Sequence, residues 1–476
     1  MKKEYKAHPL MILSLMKPFI FVLIFPVIRG VISYFIGRTI TGVIIFEILL
    51  FLIIGLSAFL SYRAFRLVIN EDFITIKKGF IFTREASIKI NRLSSVEIKQ
   101  NPLDVVFSAV TFTINTEAGR KNTPDFRFKL GKTDSKEIFK IVFGNKESRR
   151  IKYSVLKRAL LAATTSSAFM GLVIGVPIIN KVGDLLGIGI SKMLFNEINN
   201  ITYKFSRYVS PIINAVSLIF LLGYAVSFLY SFVKYINFSL KINDDKLEVN
   251  SGFFVKSHIA FKRNSINNVR IEQTPLMRIF KRYAMKVSVG GYGDSKSESE
   301  VIVPAANLKN ITEEFNEYFP FLSPKGKEIK APDNKITRSR FLVFPSVLLL
   351  MVSSVYIFLG FFYEDFGELI LFLSILSLVA VFYYAYLSLC IQRLGKIQFG
   401  DTVFAHSIKK LRICRLYCPK ENLGHIKITR FFADFRQNTC RVKIIVRSEN
   451  ADTIKLKMLK LNQVRDEIKK TFNVDV

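Results

Sequence analysis

Six runs of about 20 mostly apolar residues, each long enough to cross a bilayer, are arranged along the chain in three close pairs. They fall near Pro18–Ile36 with Ile40–Leu60, Ala159–Ile179 with Pro211–Val233, and Phe341–Phe361 with Leu369–Cys390. A stretch rich in charged and β-branched residues follows each pair, so the pattern predicts hairpin, then domain, three times. The expected divisions are a hairpin over 1–60 and a domain over 61–145. A basic linker and hairpin follow over 146–233, with an external loop at 180–210, and then a domain over 234–320. Linker and hairpin recur over 321–390, and the last domain covers 391–476.

Lys and Arg near the spans set the orientation. Lys2, Lys3 and Lys6 precede the first span, Arg149, Arg150, Lys152, Lys157 and Arg158 the third, and Lys325, Lys327, Lys330, Lys335, Arg338 and Arg340 the fifth. The last hairpin turn carries Glu364, Asp365 and Glu368 instead. Both termini and all three domains are therefore expected on the cytoplasmic side. No small-residue cleavage site marks a signal peptide. In the first hairpin, Arg29 and Glu47 are the charges deep in apolar sequence, and pairing is the usual remedy for such a cost; the bland reading is that Arg29 snorkels outward. The third span carries Ala159, Ala163, Ser167, Gly171 and Gly175, a seam of small residues that lets a neighbouring helix approach closely.

A shift of 173 residues lays Tyr62–Phe107 on Tyr235–Phe280 without a gap, with 16 of 46 positions identical. Asp72/Asp245, Gly79/Gly252, Asn91/Asn264, Gln100/Gln273, Pro102/Pro275, Leu103/Leu276 and Phe107/Phe280 are among the matches. A shift of 330 brings in a diverged third copy, in which Leu93, Val96, Ile98 and Asp104 meet Leu423, Ile426, Ile428 and Asp434. Duplication of a span-plus-domain unit is the simplest reading. Within each copy the hydrophobic period is two. Phe73–Ile76 and the residues from Phe80 read as strands around a turn at Lys77-Lys78-Gly79, whose counterpart is Asn250-Ser251-Gly252. Ser95–Gln100 alternates until Asn101-Pro102 breaks it, and a strand resumes at Val110. Each copy closes with a helix, at Ser135–Phe143, Leu308–Tyr318 and Asn462–Phe472. This describes a small antiparallel β-barrel or sandwich with one end plugged by a helix.

The segments Val96-Glu-Ile-Lys-Gln-Asn-Pro-Leu with Phe107, and Val269-Arg-Ile-Glu-Gln-Thr-Pro-Leu with Phe280, resemble the bacterial pleckstrin-homology (PH) family attached to transmembrane hairpins. Ala7-His8-Pro9-Leu10 is similar to that family's entry into its first span, and the whole layout looks like the YdbT-like membrane proteins of Gram-positive bacteria. The resemblance implies PH-like domains, a plasma-membrane location and a smaller two-span, one-domain PH-like partner. Its motifs are structural rather than catalytic. Gln100, Pro102, Leu103, Gln273, Pro275 and Leu276 are read either as a strand end whose Leu and Phe plug the core or as a surface that docks a partner; Phe107 and Phe280 are expected in the core on both readings.

Composition narrows the function classes. The 476 residues carry 69 Lys+Arg against 37 Asp+Glu, a net charge of +32, with a mean hydropathy of +0.30. The 45 Phe and 18 Tyr exclude disorder, and four Cys make no disulfide framework in a chain this long. No phosphate loop, dinucleotide fingerprint or zincin helix occurs; Gly290-Gly291-Tyr292-Gly293 reads as a hairpin loop. His406, Cys414, Cys418, His425 and Cys440 lack the paired spacing of a zinc site, so the three cysteines read as buried thiols and no cofactor or metal is expected. The basic clusters, above all Arg149, Arg150, Lys152, Arg158, Lys325, Lys327, Arg338 and Arg340, lie beside the membrane, where anionic headgroups attract each charge by about 1 kcal/mol. Nucleic-acid binding would need a recognisable domain that is absent. The expectation is an integral-membrane scaffold without catalysis that binds proteins, acting by family analogy in cell-envelope homeostasis or defence. The alternative is a lipid-handling or transport component using the six helices.

Overall fold

In the computed structural model the described residues are 3–19, 41–80, 82–116, 125–144, 148–173, 175–176, 179, 189–205, 211–290, 300–332, 335–362, 367–409, 411–435, 437–446 and 453–473. The same succession of elements occurs three times. It begins with β1 (Lys3–Tyr5), β2 (Arg66–Ile69), β3 (Phe73–Lys78), β4 (Arg84–Lys89), β5 (Leu93–Gln100), β6 (Ala109–Thr116) and β7 (Phe126–Gly131), then a helix at Lys132–Phe143. It recurs as β8 (Arg149–Lys152), β9 (Ser239–Ile242), β10 (Lys246–Ser251), β11 (Lys256–Lys262), β12 (Ile266–Gln273), β13 (Tyr283–Val289) and β14 (Glu300–Ala306), then a helix at Leu308–Tyr318. The last round is β15 (Ile329–Lys330), β16 (Lys396–Gln398), β17 (Thr402–Lys409), β18 (Arg412–Pro419), β19 (Leu423–Thr429), β20 (Thr439–Val446) and β21 (Thr453–Lys460), then a helix at Leu461–Phe472. The first strand of each round precedes that round's apolar segments and pairs with the strand that follows them, as Lys3–Tyr5 does with Ile69–Leu67.

All pairings are antiparallel, and their grouping does not respect the rounds. One sheet runs β1-β2-β3-β4, and another runs β19-β20-β21. Between them in sequence lie two seven-stranded sheets, β7-β6-β5-β11-β10-β9-β8 and β14-β13-β12-β18-β17-β16-β15. Each takes three strands from one round and four from the next.

The chain divides into two compact units. The first comprises residues 1–151, 239–266 and 289–298. Its core joins Phe65, just before β2, and Leu67, Ile74 and Ile76 of the first sheet to Val96, Phe112 and Ile114 of the second, with Ile138 and Val142 of the Lys132–Phe143 helix closing one end. Each such fully buried side chain stabilises by about 1.5–3 kcal/mol. The second unit comprises residues 152–238, 267–288 and 299–476. Its third-round core is built from Val403, Leu416, Val442, Ile444 and Leu456, closed by Val464 and Ile468. Cys414, Cys418 and Cys440 are part of the same apolar packing.

The six predicted crossings need correction. Among the described residues three helices are long and apolar enough to cross a membrane, with spans at Ile213–Lys234, Phe341–Phe361 and Ile370–Leu394. Nearly all of the first predicted span lies outside the described residues. The second falls on the Thr41–Ala64 helix, of which Ile48–Ala64 counts as a shorter apolar stretch. The third is broken: a helix over Val155–Thr165 ends at Ser166, whose backbone is extended (ψ 150), before residues 168–173 turn helical again. The cause is a run of hydroxyls. Thr164, Thr165 and Ser166 donate back to the carbonyls of Leu161 and Ala162 at 2.6–3.1 Å, which competes with the helical ladder, while the Ser167 amide donates to Ser227 Oγ at 3.0 Å. Leu161 and Ala162 are buried. The small-residue seam faces the Pro211–Lys234 helix: a Cβ on Gly171 would overlap the Gly223 carbonyl, and Tyr224 Oη donates to the Ala163 carbonyl at 3.0 Å. The predicted 180–210 loop contains an α-helix over Ile190–Phe205.

Candidate functional site: apolar corners and a cationic cavity

Each round makes a corner after its fifth strand, at Pro102–Val106, Pro275–Ile279 and Phe432–Phe435. Pro sits in the first turn of the first two, where a missing N–H costs nothing. Asn101 and Asp104 form a reciprocal capping box, and Thr274 Oγ1 accepts from the Met277 amide at 3.3 Å. Asp104 is also paired with Lys129. Gln100 and Gln273 are buried and donate across the corner to the carbonyls of Ala109 and Arg282, each at 3.2 Å. These two glutamines therefore hold the turn. Pro102, Leu103 and Pro275 are exposed and Leu276 is half-buried.

Phe107 and Phe280 are not core residues: they are 55% and 52% exposed. Both follow a corner whose inward positions are already filled, by Asp104 in one and Met277 in the other, so the next turn points outward. Val106, Ile279 and, in the third round, Phe431, Phe432 and Phe435 are exposed beside them. Hairpin tips add further aromatics. Phe80 and Phe82 flank the first tip and Phe253 and Phe254 the second, each at a glycine with φ near +100°. The register Lys256↔Gln100 brings the second tip beside the first corner.

The second corner is tied to a membrane helix. Arg278 donates to Tyr386 Oη at 3.0 Å and Cys390 Sγ at 3.1 Å, and its guanidinium lies 4.6 Å from the Tyr386 ring centre. Tyr386 and Cys390 belong to the apolar Ile370–Leu394 span.

At the end of the same helix, Arg393 and Leu394 border a cavity of about 420 Å³ with Glu328, Lys330, Lys396, Gln398, Phe404, His406, Arg415 and Tyr417. Four cations surround one carboxylate, Glu328, which bridges Lys330 at 2.7 Å and also Lys396. Burial, with Arg415 and Lys396 nearby, holds His406 down to about 4, so its ring is neutral near pH 7. His406 Nε2 and Gln398 Oε1 are buried without a hydrogen-bond partner among the described residues. Sequence reasoning missed this cavity, whose cations come from separate strands and a helix end. Its chemistry suits a phosphate-bearing group.

The other sequence candidates lie elsewhere. Arg149, Arg150 and Lys152 are exposed along β8, and Arg158 is half-buried in the Val155–Thr165 helix. Lys325 and Lys327 are exposed before β15. Arg29 and the side chains of Glu47, Arg338 and Arg340 lie outside the described residues. Cys414, Cys418 and Cys440 are buried, and burial pushes the Cys440 thiol up to about 11, whereas His425 is exposed on β19. Among the described residues no group of three or more His, Cys, Asp or Glu is placed to hold a metal ion.

A family model described as Bacterial PH domain matches residues 19–146 and 188–318, together more than half of the chain. The transmembrane protein YdbT of Bacillus subtilis (strain 168) is 20% identical over 302 residues, covering 57% of this chain and 59% of that protein. The chain thus matches about three-fifths of that relative's length. No solved structure matches.

Proposed function

Because the chain belongs to the bacterial PH domain family, we propose that it is a non-catalytic plasma-membrane scaffold. Its PH-like domains stand on the cytoplasmic face, join one another edge to edge and bind protein partners there, in cell-envelope homeostasis or defence. The observation that carries this reading is the composition of the two seven-stranded sheets, each assembled from two successive rounds. Main-chain pairing between modules is a recognition mode in its own right. The third round lies beyond the matched residues, and its like order of elements supports a diverged PH-like copy produced by duplication. The exposed corners, above all Leu103, Val106 and Phe107, are the partner surface, and a smaller two-span PH-like protein is the expected partner.

The test is crosslinking of the full-length protein in native membranes, followed by affinity purification and identification of what is retained. A variant with Leu103→Asp and Phe107→Asp that still inserts serves as control. A protein partner recovered with the parent and lost from the variant supports the scaffold. Recovery of lipid alone from both overturns it.

The cationic cavity favours a second reading, in which the chain handles anionic lipid. Retention of an anionic phospholipid through purification, lost in Lys396→Gln with Arg415→Gln, would bring that reading forward. Binding that merely fades with salt would mark nonspecific attraction.

A further inference from the structure

The two junctions between rounds share one register. In the first, β11 meets β5 with Ala260 opposite Val96 and Ser257 opposite Lys99. In the second, β18 meets β12 with Tyr417 opposite Val269 and Cys414 opposite Glu272. Under the offsets of 173 and 330 residues, Ala260 and Tyr417 both correspond to Ser87, and Ser257 and Cys414 to Arg84. Val96 and Val269 correspond to Ile426, and Lys99 and Glu272 to Thr429. Both sheets therefore obey a single rule, in which the fifth strand of one round accepts the fourth strand of the next.

Among the described residues the same rule leaves two strands over. β4 is the outer strand of the first sheet, and β19 is the outer strand of the last. They are the fourth strand of the first round and the fifth strand of the last. Edge strands with open hydrogen-bonding groups template further pairing. We infer that β19 of one copy of this chain accepts β4 of a second copy in the shared register, with Ser87 opposite Ile426 and Arg84 opposite Thr429. A third sheet of the 3+4 kind then forms between chains.

Side chains above the strands favour a second copy as occupant. In the first junction the Lys132–Phe143 helix covers the joint: Phe139 meets His258 at 4.8 Å between ring centres, and Lys246 Nζ lies 5.4 Å from Phe139 and 5.9 Å from Phe143. Superposing the buried Ser135, Ile138 and Val142 on Leu461, Val464 and Ile468 puts Arg465 and Lys469 at the positions of Phe139 and Phe143. On the sheet side, Phe73 stands at the position of Lys246 and Glu85 at that of His258. Cation and ring exchange sides, and a carboxylate meets the arginine. All four of these side chains are exposed. Within the first sheet Phe73 also lies under Lys89 at 5.6 Å and Glu85 pairs with Lys77 at 3.0 Å, exposed contacts that Lys469 and Arg465 would share or replace, so the two ends of the chain are complementary to each other. The joined edges are unlike, so the contact is heterologous and repeats from copy to copy unless it closes into a ring.

This inference rests on the edge-joined scaffold reading, and the experiment separates the two. Full-length chains carrying Arg84→Cys under one tag and Thr429→Cys under another are coexpressed and mildly oxidised in native membranes. The expected result is a mixed-tag disulfide dimer, absent when either variant is expressed alone. A chain carrying both substitutions gives a ladder of multimers, and pairing Arg84→Cys with Lys427→Cys lowers the yield at least about fivefold. An internal pair, Lys99→Cys with Ser257→Cys, should lock the first junction within one chain. If the internal lock forms and the mixed dimer does not, the copy-to-copy contact is overturned and the scaffold stands. Like-edge dimers, or capture of a different protein at Thr429→Cys instead of a second copy, overturn it equally. Failure of the internal lock overturns both readings.

Discussion

Replacing Glu272 by Gln tests how firmly the second junction is held. Glu272 is buried on β12 opposite Cys414 of β18. It lies 2.9 Å from Lys286, 3.6 Å from Arg270 and 3.5 Å from Arg412. Burial alone would raise its carboxyl, but Lys286 and Arg270 outweigh that and, with Arg412, hold it at about 2 rather than 4.5. A displacement of that size corresponds to about 3 kcal/mol in favour of the folded state, in line with the roughly 3–5 kcal/mol lost when one partner of a buried pair is removed. At about 2–4 °C per kcal/mol for 150–250 residues, and somewhat less for this larger unit, the expected fall in Tm is roughly 4–10 °C. The protein has no Trp, so the assay uses thiols. Cys414 and Cys418 are buried on β18 and Cys440 in the same third-round core, and all three react with a thiol-specific fluorophore only on unfolding. The depressed carboxyl contributes above its unfolded value and is lost as pH falls towards 2. Parent and variant should therefore differ by the full amount at pH 6–7, by progressively less as pH falls below 4.5, and converge near pH 2. A variant that melts with the parent at pH 7, or a gap that stays constant down to pH 3, would refute the reasoning.

Three other outcomes are expected. Gly171→Ala should sharply reduce membrane accumulation, because its methyl would overlap the Gly223 carbonyl, whereas Gly55→Ala, with open space around it, should be silent. Phe107→Ala and Phe280→Ala should each cost under about 1 kcal/mol, while Phe112→Ala in the core costs about 3–5 kcal/mol; thermal melts distinguish them. His406 is held at about 4, so the unfolded chain takes up a proton that the folded one refuses. Stability should be steady above pH 6.5 and decline towards pH 4, and His406→Gln should flatten that slope in pH-dependent melts.

The β-strands and closing helices were legible because a period of two and amphipathic spacing mark which face is buried. Gly79 and Gly252 likewise announced their turns: both have φ near +100°, and a side chain there would strike the opposite limb. What sequence could not give was the partner of each edge, since main-chain pairing between β5 and β11 leaves no side-chain signature. Identity of Phe107 with Phe280 signalled a shared role without direction, and burial was the wrong inference. Hydropathy also overrode the Thr164–Ser167 hydroxyls, which break a run that composition alone reads as one helix. β8 and β15 lay hidden in basic linkers, where Lys and Arg suggested headgroup contact although the backbone pairs in a sheet.

Sheets shared between rounds also impose a timetable on synthesis. β5 is complete at Gln100, but its neighbour begins at Lys256, after the Pro211–Lys234 helix. At about 5–20 residues per second the intervening 150 or so residues take roughly 8–30 s to emerge. β12 waits about as long for β18, through the last two apolar helices. Throughout each interval the nascent chain carries a finished strand with an open edge, the kind of surface that invites aggregation. Delivery of the long apolar helices in each interval to the bilayer therefore sets the pace at which the preceding sheet can close, and a delay in insertion becomes a delay in folding upstream.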